Sequence, residues 1–317
     1  MIEDFTEPSP FKPVKHQWAY DHWKSQQQQH WIPEEVEFGQ DIEDWQKISD
    51  NERNLLTNIF RYFTQGDIDV AGGYCDKFIP YFKNTELRMM LSTFASMETI
   101  HIDAYALLIS TVNMPDTEFN AFNDYKEMSD KHEYLNNFNM NSPIDVLVSI
   151  AVFACFTEGL QLFGSFTMLL NFSRFNLMKG MCQVVTWSIR DETIHVSGMV
   201  RLFHAFKKSL GIKDSEIHER ITDIASDVVK LEEAFINLAF EMGDQKGLTA
   251  QETKQYIRYL CDWRLKNMGI KPIFNIKEHP LPWLIPLINT VEHANFFEAR
   301  ATEYSKSSTT GAWGDAW

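Results

Sequence analysis

Three features of the sequence predict an all-α fold. No proline occurs between Pro143 and Pro272, so nothing in that long run has to interrupt a helix. Apolar residues recur there at helical spacing. Strand-like alternation bounded by tight turns is almost absent. Residues 1–15 are proline-rich and are expected to lie as an extended arm, with the first helix at 16–30. The second, 50–78, opens at Ser49-Asp-Asn-Glu52, where hydroxyl and carboxylate can each satisfy the other residue's backbone N–H. A third is placed at 84–113. The fourth, 143–171, starts at Ser142-Pro143-Ile-Asp145, a hydroxyl cap followed by a proline that has no N–H to leave unpaired. Helices at 174–209 and 214–243 follow. The next, 250–267, lies between a Thr249-Ala-Gln-Glu252 cap and the stop signals Gly269 and Pro272. A last helix is expected at 283–303. Beyond it the tail SKSSTTGAWGDAW is small and polar, so it is expected to be mobile; Trp313 and Trp317 are large aromatics of the kind that wait for a pocket.

Composition narrows the function classes. The 317 residues are 44% apolar and 23% charged, as in a soluble protein with a sizeable core. A net charge of −15 argues against a nucleic-acid-binding surface. The four cysteines form no C-x-x-C pair, which fits a reduced, cytoplasmic setting. The start, MIEDFTEPSP, lacks the basic residues and apolar run of a signal peptide. Residues 146–170 carry a single charge and are long enough to span a bilayer. That charge, Glu158, sits at the centre, where facing lipid would be costly, and no second such segment exists. A helix buried inside a soluble bundle is the expectation instead, and it leaves Glu158 in need of a partner.

The partner is suggested by a repeated motif. Glu-Thr-Ile-His occurs as Glu98–His101 and again as Glu192–His195, and no other histidine has an acid three residues before it. On a helix that spacing aims two donors at one point. One copy would read as a surface ion pair; two copies on long apolar helices do not. Between Glu158 and Asp191 there is no acidic residue, so Glu158 is the only carboxylate that the preceding helix offers to the second copy. The first copy has two candidates, Asp67 and Asp69, on different faces of their helix. The order carboxylate helix, Glu-x-x-His helix, repeated once, is the pattern of di-iron and di-manganese carboxylate bundles. Four carboxylates balance two divalent metals, and oxygen and imidazole donors without thiolate suit iron or manganese. Tyr105 follows His101 by one turn, which places its ring beside the metals.

These residues carry a resemblance over roughly residues 15–310. HWIPEEVEF (30–38), FTQGD (63–67), METIHIDAY (97–105), FTEGLQLFGSF (156–166), SIRDETIH (188–195) and EHANFFEARATEYS (292–305) together resemble the small, radical-generating (beta) subunit of class I ribonucleotide reductase. The resemblance implies a ferritin-like bundle and selects Asp67 over Asp69. It implies metal ligands Asp67, Glu98, His101, Glu158, Glu192 and His195, with Tyr105 oxidised by O2 chemistry to a stable radical. Two metal ions per chain are implied, iron first, with manganese or a mixed pair compatible with the same ligands. It further implies a radical path from Trp31 through Asp191 to His101, and Tyr304 as the relay to a large (alpha) subunit, which reduces ribonucleoside diphosphates. The implied layout is an arm at 1–15, a radical-generating domain at 16–304 and a docking tail at 305–317, in a homodimer. Ser188 departs from the apolar residue common in the family near the radical tyrosine, and a hydroxyl there would make that pocket wetter. A ferritin-like metal-storage protein or di-metal oxidase is the alternative for such a bundle, but storage gives no role to a Trp31–Asp191 path or an aromatic tail.

Overall fold

A computed structural model of the chain describes residues 2–288. Among the described residues there is no strand, only an isolated bridge between Gln245 and Leu248, so the all-α prediction holds. The helices are α1 (Gln17–Gln27), α2 (Gly39–Lys47), α3 (Asp50–Gly72), α4 (Thr85–Thr111), α5 (Lys126–Asn136), α6 (Pro143–Ala151), α7 (Leu162–Leu170), α8 (Lys179–Leu210), α9 (Asp214–Ala239) and α10 (Ala250–Asn267). Two π-helical stretches interrupt them: Gly73–Phe78 continues α3, and Val152–Gln161 joins α6 to α7.

The caps read from sequence are the ones used. Ser49 and Glu52 form a reciprocal capping box, as do Thr249 and Glu252, and the Ser142 hydroxyl accepts from the Asp145 N–H. The helix expected at 174–209 starts later, at Lys179, because 171–175 form a 3-10 turn and Asn176 and Met178 take left-handed backbone conformations. It ends at Gly211, whose φ of +67° is the conformation that favours glycine after a helix. The N-terminal arm carries one helical turn, Glu3–Thr6, whose Phe5 is buried.

Two helices, α2 and α5, were not expected from sequence. Both are short and polar, and both are held by partners far along the chain. In α2, Asp41 accepts from the N–H groups of Gly180 and Met181, and Asp44 from that of Met178, so two carboxylates sit at the N-terminus of α8. In α5, Lys131 is fully buried and lies 2.7 Å from Glu232 of α9. Of the last expected helix, 283–303, only 283–288 are described, and 284–288 are helical. Tyr304, the tail 305–317, and with them Trp313 and Trp317, lie outside the described residues.

The core is a bundle of α3, α4, α8 and the continuous helical run 143–175. α3 packs along α4, and α8 packs on α6, α4 and the second π stretch. α1 lies across α4 and α8, while α9 and α10 cover the outer side of the π stretch. The run 143–175 is apolar enough to cross a membrane, yet 94% of its most apolar window is buried inside the protein. Its composition is therefore that of the central helix of a bundle, enclosed by its neighbours.

Candidate metal centre

Each of the four core helices sends acid or imidazole groups inward. Asp67 comes from α3, Glu98 and His101 from α4, Glu158 from the second π stretch, and Glu192 and His195 from α8. Asp67 is 2% exposed and His101 1%; the other four are fully buried. Donor atoms of Glu98, Glu158, Glu192 and His195 all lie within 4.8 Å of one another. His195 Nδ1 is 3.0 Å from Glu98 Oε1 and 3.4 Å from both Glu158 Oε1 and Glu192 Oε2. His101 extends the cluster, its Nδ1 lying 3.4 Å from Glu98 Oε2 and from Glu192 Oε1. Asp67 lies beyond the group of four, close enough that, after burial itself, the charge of Glu98 is what pushes its carboxyl furthest above the usual range. The structure thus gathers all six residues in one buried region and leaves Asp69 outside it, paired with His132 at 2.5 Å on a partly exposed face.

The donor set fits divalent cations. Among the described residues, no well-formed hydrogen bond reaches either oxygen of Glu98 or of Glu192, Oδ2 of Asp67 or either ring nitrogen of His195, all of them buried. Leaving a buried polar atom unpaired costs about 1–3 kcal/mol, more for charged groups, and several such atoms point at one another here. Crowded together out of solvent, these groups shift one another's titration. Burial alone would drive protons off His101 and His195, but the carboxylates around them win and hold both well above the usual imidazole range. Burial pushes Glu158 up to about 8. Burial would also raise Glu98, yet His101 and His195 beside it hold its carboxyl below the ordinary range. Four acids and two imidazoles facing inward without solvent are what a pair of cations would neutralise.

Two aromatic side chains flank the cluster. Tyr105 is 2% exposed, packs at 4.5 Å against Phe63, and its hydroxyl makes no well-formed hydrogen bond among the described residues. Burial, and then the charge of Asp67, push its phenol far above the usual range, while Ser188 draws it back. Ser188 is itself fully buried. Trp31, 2% exposed, donates its Nε1–H to Asp191 Oδ2 at 2.8 Å, and the same oxygen lies 3.3 Å from His101 Nε2. Trp31, Asp191 and His101 are therefore in continuous contact, with the Trp31 and His101 rings 6.1 Å apart. The other Asp191 oxygen accepts from Gln26 of α1 at 2.8 Å.

Sequence reasoning missed Gln26 and Tyr74. Nothing in the pattern distinguishes Gln26 from its neighbouring glutamines. Tyr74 is fully buried and donates to Glu158, 2.7 Å from Oε1 and 2.9 Å from Oε2. Its position seven residues after Asp67, two helical turns along one face, is the signal that could have found it.

Known proteins share this chain's sequence and fold. Residues 9–280 match the family model "Ribonucleotide reductase, small chain". The chain is 42% identical to a probable ribonucleoside-diphosphate reductase small subunit of Invertebrate iridescent virus 3, over 99% of this chain and 88% of that protein. It is equally 42% identical to the corresponding protein of Invertebrate iridescent virus 6, over 97% of this chain and 96% of that one. Among solved structures, the ribonucleotide reductase R2 subunit of Clostridium botulinum superposes with a TM-score of 0.75 at 20% identity, covering 88% of this chain and 90% of that one. At that identity the likeness concerns the fold.

Proposed function

We propose, for a chain that belongs to the ribonucleotide reductase small-chain family, that Tyr105 is the residue it oxidises and that Asp67, Glu98, His101, Glu158, Glu192 and His195 hold two metal ions beside it. The activity is that of a ribonucleoside-diphosphate reductase small subunit, and a large subunit supplies the nucleotide site. The observation that carries the reading is the buried convergence of four carboxylates and two imidazoles, with so many of their donor atoms unpaired. A redox-active pair of metals, two irons in this proposal, supplies the oxidising power from dioxygen when bound.

The chain's own residues do the rest. The six ligands bring formal charge −4, which two divalent ions balance, and they keep water away because all are buried. Tyr105 would supply the electron that this oxidising power takes up, and its phenolic proton would leave toward Asp67, the carboxylate whose charge acts on it most. Its pocket of Phe63 and buried neighbours keeps solvent and reductants from the oxidised ring. Asp191 orients His101 from outside the ligand shell and accepts from Trp31, so that the hole on Tyr105 can be passed outward as paired electron and proton movements. Tyr304 and the tail 305–317 carry that hole to, and dock on, the large subunit, and the chain works as a homodimer. Metal storage gains nothing from a buried tryptophan tied to a ligand through an aspartate.

The test is to load metal-depleted protein with iron, manganese or both, expose it to oxygen, and record electron paramagnetic resonance alongside turnover with the large subunit. Iron-loaded wild type is expected to show an organic radical. Tyr105→Phe keeps the ring volume and removes only the hydroxyl, so it should bind two metals, lose the radical signal and lose turnover. An active Phe variant with mixed metals would mean that the metal pair itself stores the oxidising equivalent.

A further inference from the structure

Tyr74 has no part in that scheme, yet it is bound to the centre more firmly than Tyr105. Its ring is completely enclosed, with Phe153 edge-on at 4.9 Å, Phe94 at 5.9 Å and the His195 imidazole at 6.2 Å. Packing alone would be served as well by phenylalanine. The hydroxyl is aimed at the Glu158 carboxylate and lies astride both its oxygens, although it has one proton to give. A bond of this kind to a charged acceptor is among the stronger ones a neutral donor makes. Glu98 and Glu192, which share the cluster, have no such donor on their oxygens among the described residues.

The local fold is shaped around this contact. Tyr74 lies in the π-helical stretch Gly73–Phe78 and Glu158 in the stretch Val152–Gln161, and π turns concentrate at functional sites. The two come together because residue 73 is glycine. A Cβ there would fall 2.3 Å from the Phe153 ring, which instead lies directly on the backbone and closes the side of the Tyr74 pocket.

We propose that Tyr74 is a positioning residue of the centre, whose phenol fixes the Glu158 carboxylate toward Glu98, Glu192 and His195 and so sets the affinity of that half of the site. This rests on the two-metal reading above. The same geometry argues against Tyr74 as a second oxidised tyrosine: its proton would have to pass to a carboxylate engaged with metal, which is a poor acceptor.

Tyr74→Phe tests the role. Metal-depleted protein is titrated with Mn(II), and free Mn(II) is followed by its paramagnetic resonance signal. Wild type is expected to bind two ions per chain. The variant should keep one site unchanged and bind the other roughly 10- to 100-fold more weakly, as loss of an outer-shell partner commonly does. Phe153→Leu removes the ring that packs on Tyr74 without touching the hydrogen bond, and should give the wild-type isotherm. Should Tyr74→Phe not fold, 3-fluorotyrosine at position 74 keeps the hydroxyl, and its fluorine resonance should shift when Zn(II) is added; an unmoved resonance would overturn the proposal. So would a wild-type isotherm for Tyr74→Phe, or equal weakening in Phe153→Leu. A radical that survives Tyr105→Phe but disappears when Tyr74→Phe is added would make Tyr74 a redox carrier and overturn it too. Failure of wild type itself to bind Mn(II) would strike at the metal reading, whereas equal binding by wild type and Tyr74→Phe strikes only at Tyr74.

Discussion

Asp191 stands at a junction: one oxygen meets Trp31 and His101, the other takes the Gln26 amide, and the Arg190 guanidinium lies 3.7 Å away. A carboxylate that is fully buried and accepts from three different elements cannot turn, so it fixes both the tautomer and the orientation of His101. Trp31→Phe removes one donor from this junction and leaves a ring to pack against Trp187, which is 5.0 Å from Trp31. The variant is expected to keep its metal content and Tyr105 radical and to lose turnover with the large subunit. Asp191→Ala should do the same at a larger cost in stability, because it strands buried donors at about 1–3 kcal/mol apiece. Radical content by paramagnetic resonance and turnover on the same samples decide the matter, and normal turnover in Trp31→Phe would rule out the path. At this scale the sequence was legible where chemistry repeats itself. Two Glu-x-x-His pairs and a lone acid in an apolar helix can be read directly. The Gln26 amide cannot, since its role comes only from α1 lying across α8.

Among the elements, α5 shows how a polar helix can be integral to a core. Lys131 places its ammonium 2.7 Å from Glu232 Oε2, over the Tyr62 ring at 3.7 Å and the Phe235 ring at 4.2 Å, all without solvent. Gly164 makes the room, since a Cβ there would lie 2.7 Å from Glu232 Oε1. Breaking such a pair from one side is costly, whereas replacing both partners with apolar groups is often neutral. Lys131→Met is therefore expected to lose about 3–5 kcal/mol of stability, and Lys131→Met with Glu232→Leu to recover most of it. Urea unfolding of both variants reads this out. A single variant as stable as wild type would show that the pair contributes nothing. The pair also explains why α5 was illegible: its stabilising contact is 101 residues away, and no local periodicity records it. The same holds for α2, whose acids serve the start of α8 rather than their own helix.

On the scale of the whole molecule, the small subunit must engage a second protein, and nothing in the chain resembles a nucleotide-binding loop. In the proposed arrangement residues 306–317 form that link. Their removal should abolish turnover and weaken binding to the large subunit, while metal content and the Tyr105 radical stay at wild-type levels. Surface-plasmon binding of the truncated protein to the large subunit, with paramagnetic resonance on the same preparation, is the measurement. Unchanged affinity and turnover would remove the tail from the mechanism.

By itself the sequence determined the all-α class, most helix boundaries that have local caps, and the identity of five of the six inward-facing acids and imidazoles. Those features are written in spacing and in hydroxyl–carboxylate pairs a few residues apart. Even the choice of Asp67 over Asp69 needed the resemblance, since spacing alone left both open. Tertiary structure alone decided where the long-range partners lie: Asp41 and Asp44 at the head of α8, Lys131 on Glu232, Gln26 on Asp191 and Tyr74 on Glu158. Each joins residues dozens of positions apart in the chain. The reason is physical: a buried charge must find its partner wherever the packed helices bring one within reach, and that distance is set by how helices cross, which no local pattern encodes.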